Sequence, residues 1–115
     1  MSFPTLRQIE IPQGSPNAYG ITVQIGHFDR LEVVVPEIKN RPTFGFTTVK
    51  VNIDGNPAQS VVLGPEHTGP VLVEIPPYAV RCCWQKIDYT VTIFGNEEHS
   101  EAVMVLNEGK KSKSV

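Results

Sequence analysis

The chain has 115 residues, 40% of them hydrophobic and 19% charged, with a net charge of −2; that is enough for one globular core and too little for two. Charge is unevenly placed: residues 1–109 carry seven Lys/Arg against twelve Asp/Glu, and Lys110, Lys111 and Lys113 make a basic end. An acidic body argues against a nucleic-acid-binding face, and no apolar run approaches the roughly 18 residues of a membrane span, so neither nucleic acid nor a membrane is expected as a partner.

Ten prolines and nine glycines lie between apolar runs rather than inside them, the pattern of many short strands joined by turns. Residues 1–19 are expected to form an N-terminal arm with a first short strand around Leu6 to Ile11, since Pro12, Gly14 and Pro16 favour turns or extended chain. Its opening, MSFPTLRQIE, has neither the basic nor the apolar region of a signal peptide. Folding in a cytosol is therefore expected.

From Gly20 to Gly26, Ile21, Val23 and Ile25 alternate with Thr22 and Gln24, and after a turn at HFDR the pattern returns in Leu31, Val33 and Val35. Two such runs a few residues apart predict a hairpin. Beyond the proline-bounded loop 36–42, Phe44 and Phe46 lie on one face of an extended segment and Val49, Val51 and Ile53 on the other. That change of phase predicts a bulge or a change of sheet near Thr47-Thr48. Asp54-Gly55 is a hairpin turn signal returning into Gln59 to Leu63. GPEHTGP, residues 64–70, is a loop; Val71, Val73 and Ile75 form a strand stopped by Pro76-Pro77.

Ile87, Tyr89, Val91 and Ile93 alternate with Asp88, Thr90 and Thr92, and the apolar run AVMVL follows after GNEEHSE. This reads as a long central antiparallel hairpin. Asn96 would also suit a helix cap and Gly109 a helix stop, but the β-branched Val103 and Val105 favour a strand. Val23, Val33, Tyr89, Val91 and Ile93 are the expected core, with Thr22, Thr90 and Thr92 facing water. The whole is expected to be all-β: a single antiparallel β-sandwich of about eight strands spanning 20–109, immunoglobulin-like or jelly-roll, with a basic tail at 110–115. The Tyr-x-Val-x-Ile strand with its polar loop and AVMVL resembles the F–G hairpin of immunoglobulin-like and fibronectin type III domains. Such a likeness implies a fold and transfers no function.

Side chains suited to chemistry are scattered. His27 with Asp29, Glu66 with His67, and Glu97-Glu98 with His99 sit in three presumed loops, and a cation site would require those loops to meet; solvated loop histidines are the plainer expectation. Cys82 and Cys83 are adjacent, so in a strand they would face opposite ways, one buried and one near the surface. Two reduced thiols are expected; an intermolecular disulfide or a redox pair is the sharper alternative, but no neighbouring residue supports either and no CxxC spacing occurs. No glycine-rich phosphate loop, nucleophile elbow or HExxH spacing occurs. No cofactor, metal or catalytic residue is therefore assigned.

Large rings such as Tyr78 and Trp84 are expected mainly as core packing; exposed together they would form a binding platform. These observations favour a non-enzymatic structural or interaction protein whose partners are other protein chains. A repeated subunit of a larger assembly fits best, such as a minor capsid or decoration protein of a virion. Phe3, Ile11, Tyr78, Trp84, Lys110, Lys111 and Lys113 are its candidate contact residues. The alternative is a small carbohydrate-binding-like module, and an unrecognised enzyme comes third.

Overall fold

Alternation of buried and exposed side chains sets the local structure nearly everywhere. Leu31, Val33 and Val35 are fully buried while Glu32 and Val34 between them are not, as a pleated strand with one inward face requires. A computed structural model describes residues 6–26, 28–39 and 41–109. In chain order they form β1 (Ser15–Pro16), β2 (Ile21–Val23), β3 (Leu31–Val35), β4 (Thr47–Ile53), β5 (Asn56–Leu63) and β6 (Val71–Ile75). A 3-10 turn at Pro77–Ala79 leads to β7 (Cys83–Ile93), β8 (Asn96–His99) and β9 (Val103–Asn107). No α-helix occurs among the described residues.

The strands form two sheets. The larger runs β1-β2-β9-β7-β4-β5, with β8 beside β7; the smaller is β3 paired with β6. The chain is thus all-β, as expected, but the pairing is not wholly antiparallel: β2 lies parallel to β9. The predicted hairpin between β2 and β3 is also absent, because the two strands belong to different sheets. The turn between them forms where HFDR predicts it, with the Asp29 N–H donating to the Gly26 carbonyl (3.2 Å) and the Gly26 N–H to Asp29 Oδ2 (3.0 Å). What it joins is decided at long range. Beyond Val23, the side-chain amide of Asn107 at the end of β9 accepts from the Ile25 N–H (2.9 Å) and donates to the Ile25 carbonyl (3.3 Å).

Residues 9–16 touch both sheets. Glu10 exchanges two backbone hydrogen bonds with Val34 on β3 (2.9 and 2.8 Å). The Gln13 side chain continues that edge, accepting from the Glu32 N–H (2.7 Å) and donating to the Arg30 carbonyl (3.1 Å). Two residues after Gln13, β1 pairs with β2 in the larger sheet.

β4 corrects a second expectation. Thr47, Val49, Val51 and Ile53 are all buried in one unbroken phase, so no bulge falls at Thr47-Thr48. The apparent switch arises because Phe44 and Phe46 precede the strand, with Gly45 at φ +83° bending the chain there. The irregularity lies instead between Val51 and Asn52, in the pairing with β5. Asp54 and Gly55 take φ of 52° and 84°, the two positive values of a type I′ hairpin turn. Phe94 and Gly95, at 51° and 80°, repeat that turn between β7 and β8.

The predicted central hairpin is present, and AVMVL is strand. β7 pairs with β8 over Thr90–Ile93 and with β9 over Cys83–Ile87, with the register displaced by one residue between them. Ser100 fills the gap: its Oγ accepts from the Tyr89 N–H and its own N–H donates to the Tyr89 carbonyl, both at 3.0 Å. One extra residue reverses every later side chain. That reversal points Val103 and Val105 inward.

One cluster of buried residues joins the two sheets, with Leu31, Val33, Val71, Val73 and Ile75 from the smaller and Val49, Val51, Ile87, Tyr89, Val91 and Val105 from the larger. Each such aliphatic side chain contributes about 1.5–3 kcal/mol by leaving water. Val23, Val33, Tyr89 and Val91 are buried as expected, and Ile93 only partly. Thr90 is buried too, contrary to expectation. It sits on the opposite face of β7, where Thr90 Oγ1 accepts from Asn52 Nδ2 (2.9 Å) and lies 2.9 Å from His99 Nδ1.

Candidate functional site: exposed rings and an open groove

The core is aliphatic because the rings are elsewhere. The sequence has nine aromatic residues. Of the eight among the described residues, Tyr89 alone is buried and seven are exposed. The expectation of rings as core packing is therefore corrected for all but Tyr89. Valine, isoleucine and leucine make up the buried cluster apart from Tyr89, and the other described rings lie at strand ends, turns and loops.

Two ring pairs mark the two ends of β7, whose eleven residues span about 33 Å at 3.3 Å per residue. At its C-terminal end, Phe94 occupies the first position of the tight turn and stacks against Phe44 at 5.4 Å between centroids, tilted by 39°. Gly45 makes that contact possible, since a Cβ there would meet the Phe94 ring at 2.9 Å. Phe46, two-thirds exposed, lies in the same segment.

At the N-terminal end, Trp84 meets Tyr19 edge-on, at 6.1 Å and 82°. Tyr78 on the 3-10 turn is 83% exposed. Both predicted platform residues are thus at the surface, with Tyr19 as the ring partner of Trp84. Tyr19 is placed by an Asn17 turn, whose Oδ1 accepts from the N–H groups of Tyr19 and Gly20, both at 2.7 Å.

A groove of about 1080 Å³ opens between the sheets. Tyr89, Val91 and Ile93 line its apolar part, Leu6 and Ile38 flank them, and Arg7, Lys39, Glu97 and Glu98 supply charge. The Tyr89 hydroxyl donates to the Arg7 carbonyl at 2.6 Å, tying the N-terminal segment across it. Burial pushes the Tyr89 hydroxyl above its ordinary pKa. Nearby, the Glu37 carboxyl is held below the usual range by the Gly69 N–H (2.8 Å) and then by Lys39. Periodicity alone gives no sign of this groove, because the residues lining it look like ordinary inward-facing strand positions.

The remaining candidates disperse. Ile11 is 6% exposed and belongs to the chain's own core, so it is not free to enter a neighbour. Phe3, Lys110, Lys111 and Lys113 lie outside the described residues, as does His27. His99 and Glu97-Glu98 are on strand β8, not in a loop, and His99 is committed to Thr90. His67 sits in the 64–70 loop, which Arg41 staples by donating to the carbonyls of His67 and Gly64. Among the described residues, no three His, Cys, Asp or Glu side chains are grouped to hold a metal ion. Cys82 and Cys83 are both exposed and free, whereas one was expected inside. Comparison of the chain with protein-family models, with curated proteins and with solved structures finds no match in any of the three.

Proposed function

We propose that this chain is a non-enzymatic, protein-binding subunit of a larger assembly, built as an immunoglobulin-like β-sandwich. The sandwich is supported by the shared core of the two sheets and by the strand order. On this reading β9, β7, β4 and β5 correspond to strands G, F, C and C′ of the variable-type arrangement, and β3 and β6 to B and E, in keeping with the strand order. A jelly roll accounts less well for a two-stranded partner sheet.

The observation that carries the assembly function is the outward placement of seven aromatic rings. Rings offer large contact area with few rotatable bonds, and they concentrate at protein interfaces. Edge strand β5 adds to the case. Asn56–Leu63 contains no charged residue and has β4 on one side only, an edge that soluble proteins usually charge or cover. A virus or phage particle, with this chain as a minor capsid or decoration protein, is the setting proposed. A sugar-binding role would use the same rings, but the perpendicular Tyr19–Trp84 pair presents no shared flat face.

Sedimentation velocity over a concentration series tests the proposal. The wild-type chain is expected to grow in mass with concentration, and Phe44→Ser/Phe94→Ser to remain folded and monomeric. A wild-type monomer at every concentration, or a double variant that assembles equally well, overturns it.

A further inference from the structure

Successive side chains of an extended strand face opposite ways, so Cys82, in the bend before β7, and Cys83, its first residue, would be kept apart if the pleat began at Cys82. Here they are not. Cys83 takes φ +75°, a left-handed conformation that non-glycine residues adopt only at a conformational cost. Both side chains are exposed, both thiols are free, and their Sγ atoms lie 2.7 Å apart.

The turn that carries the pair is held from beneath by two buried amides. Gln85, 6% exposed, accepts from the Arg81 N–H through Oε1 (2.9 Å) and donates to the Ala79 carbonyl (3.4 Å). Asn107, 6% exposed and opposite Cys83 in the β7–β9 register, donates to the Arg81 carbonyl (3.3 Å). Strained backbone on a hydrogen-bonded base is a frequent mark of a functional site. It also fixes the two sulfurs as intramolecular partners before any reaction begins.

We propose that Cys82-Cys83 is a vicinal dithiol redox site, closed to an intramolecular disulfide by a small-molecule disulfide such as glutathione disulfide. In the first step one cysteine loses its proton to solvent and its thiolate attacks a sulfur of the oxidant. The oxidant's S–S bond breaks, one glutathione leaves as thiolate, and a mixed disulfide remains on the protein. In the second step the other cysteine, deprotonated in turn, attacks the protein-bound sulfur and expels the second glutathione. The two cysteines together lose two protons and two electrons. The oxidant takes up both electrons, and its two thiolates are reprotonated.

The second sulfur is already in contact, so the resolving step is intramolecular; neighbouring Cα atoms lie about 3.8 Å apart, short of the usual disulfide range, so the ring closes under strain. Each attack requires a thiolate, so closure accelerates as the pH rises. Trp84 is the next residue, and its ring lies against Tyr19, which places a fluorescent reporter beside the reaction.

Intact-mass measurement of the full chain, treated with glutathione disulfide and then with a dithiol reductant, tests the site. The expected product is a monomer lighter by two hydrogens, formed with a change in Trp84 emission and fully restored by the reductant. Cys82→Ser and Cys83→Ser should each stop at the mixed disulfide and gain one glutathione. Wild-type protein that keeps both thiols, that retains glutathione, or that cross-links into covalent dimers overturns the assignment.

Discussion

Val91 is the position where the fold can be tested most directly. It lies on the central strand β7, opposite Val49 on β4 and Glu98 on β8, and is 4% exposed. Val91→Ala removes two buried carbons, worth about 1.6 kcal/mol at ~0.8 kcal/mol each. The cavity adds to this, since hydrogen-bonded strands on both sides limit collapse, and the total is expected at about 2–3 kcal/mol. For a chain of this size the thermal midpoint should fall by about 8–12 °C. Denaturant titration followed by Tyr and Trp emission should show a lower midpoint with an unchanged slope. Val62→Ala on the exposed face of β5, where Val62 is 63% exposed, is the matched control and should stay within about 0.5 kcal/mol of wild type. Equal midpoints for Val91→Ala and wild type would refute the placement of β7 between β4 and β8–β9.

Tyr89 carries a pH signature. Its hydroxyl pKa is raised above 10.0 by burial, so the stability it contributes is complete below the unfolded value of about 10 and is lost as the pH rises through the folded value. Tyr89→Phe should cost about 1 kcal/mol near neutrality through the lost hydrogen bond to Arg7. It should also remove part of the alkaline loss of stability; a variant whose alkaline profile matches wild type would show that Tyr89 does not titrate with unfolding. Deletion of residues 1–5, which stops short of the buried Ile9 and Ile11, should leave the thermal transition within a few degrees of wild type and abolish assembly in sedimentation. Assembly that survives the deletion would exclude Phe3 as a contact.

Some of this protein is legible in the residues themselves. The alternation in Leu31–Val35, Val71–Ile75 and Ile87–Val91 determines which side chains share an inward face, because the pleat has a period of two whatever the strand pairs with. Asp54-Gly55 determines its own turn, since few residue pairs accept two successive positive φ values. β-branched Val103 and Val105 make their segment a strand by local preference. Tertiary structure alone decides which strand lies beside which. Ile21–Val23 alternates as well as any segment, yet it joins β9 in parallel because backbone groups more than eighty residues away complete its hydrogen bonds, and the Asn107 amide holds Ile25 just beyond it. The same holds for the surface. No pattern in the sequence says that seven rings stay outside an aliphatic core, or that two neighbouring thiols defy the pleat to meet on one side. Burial depends on the space the packed sheets leave, and a left-handed φ at Cys83 is stable only where buried Gln85 and Asn107 hold the turn.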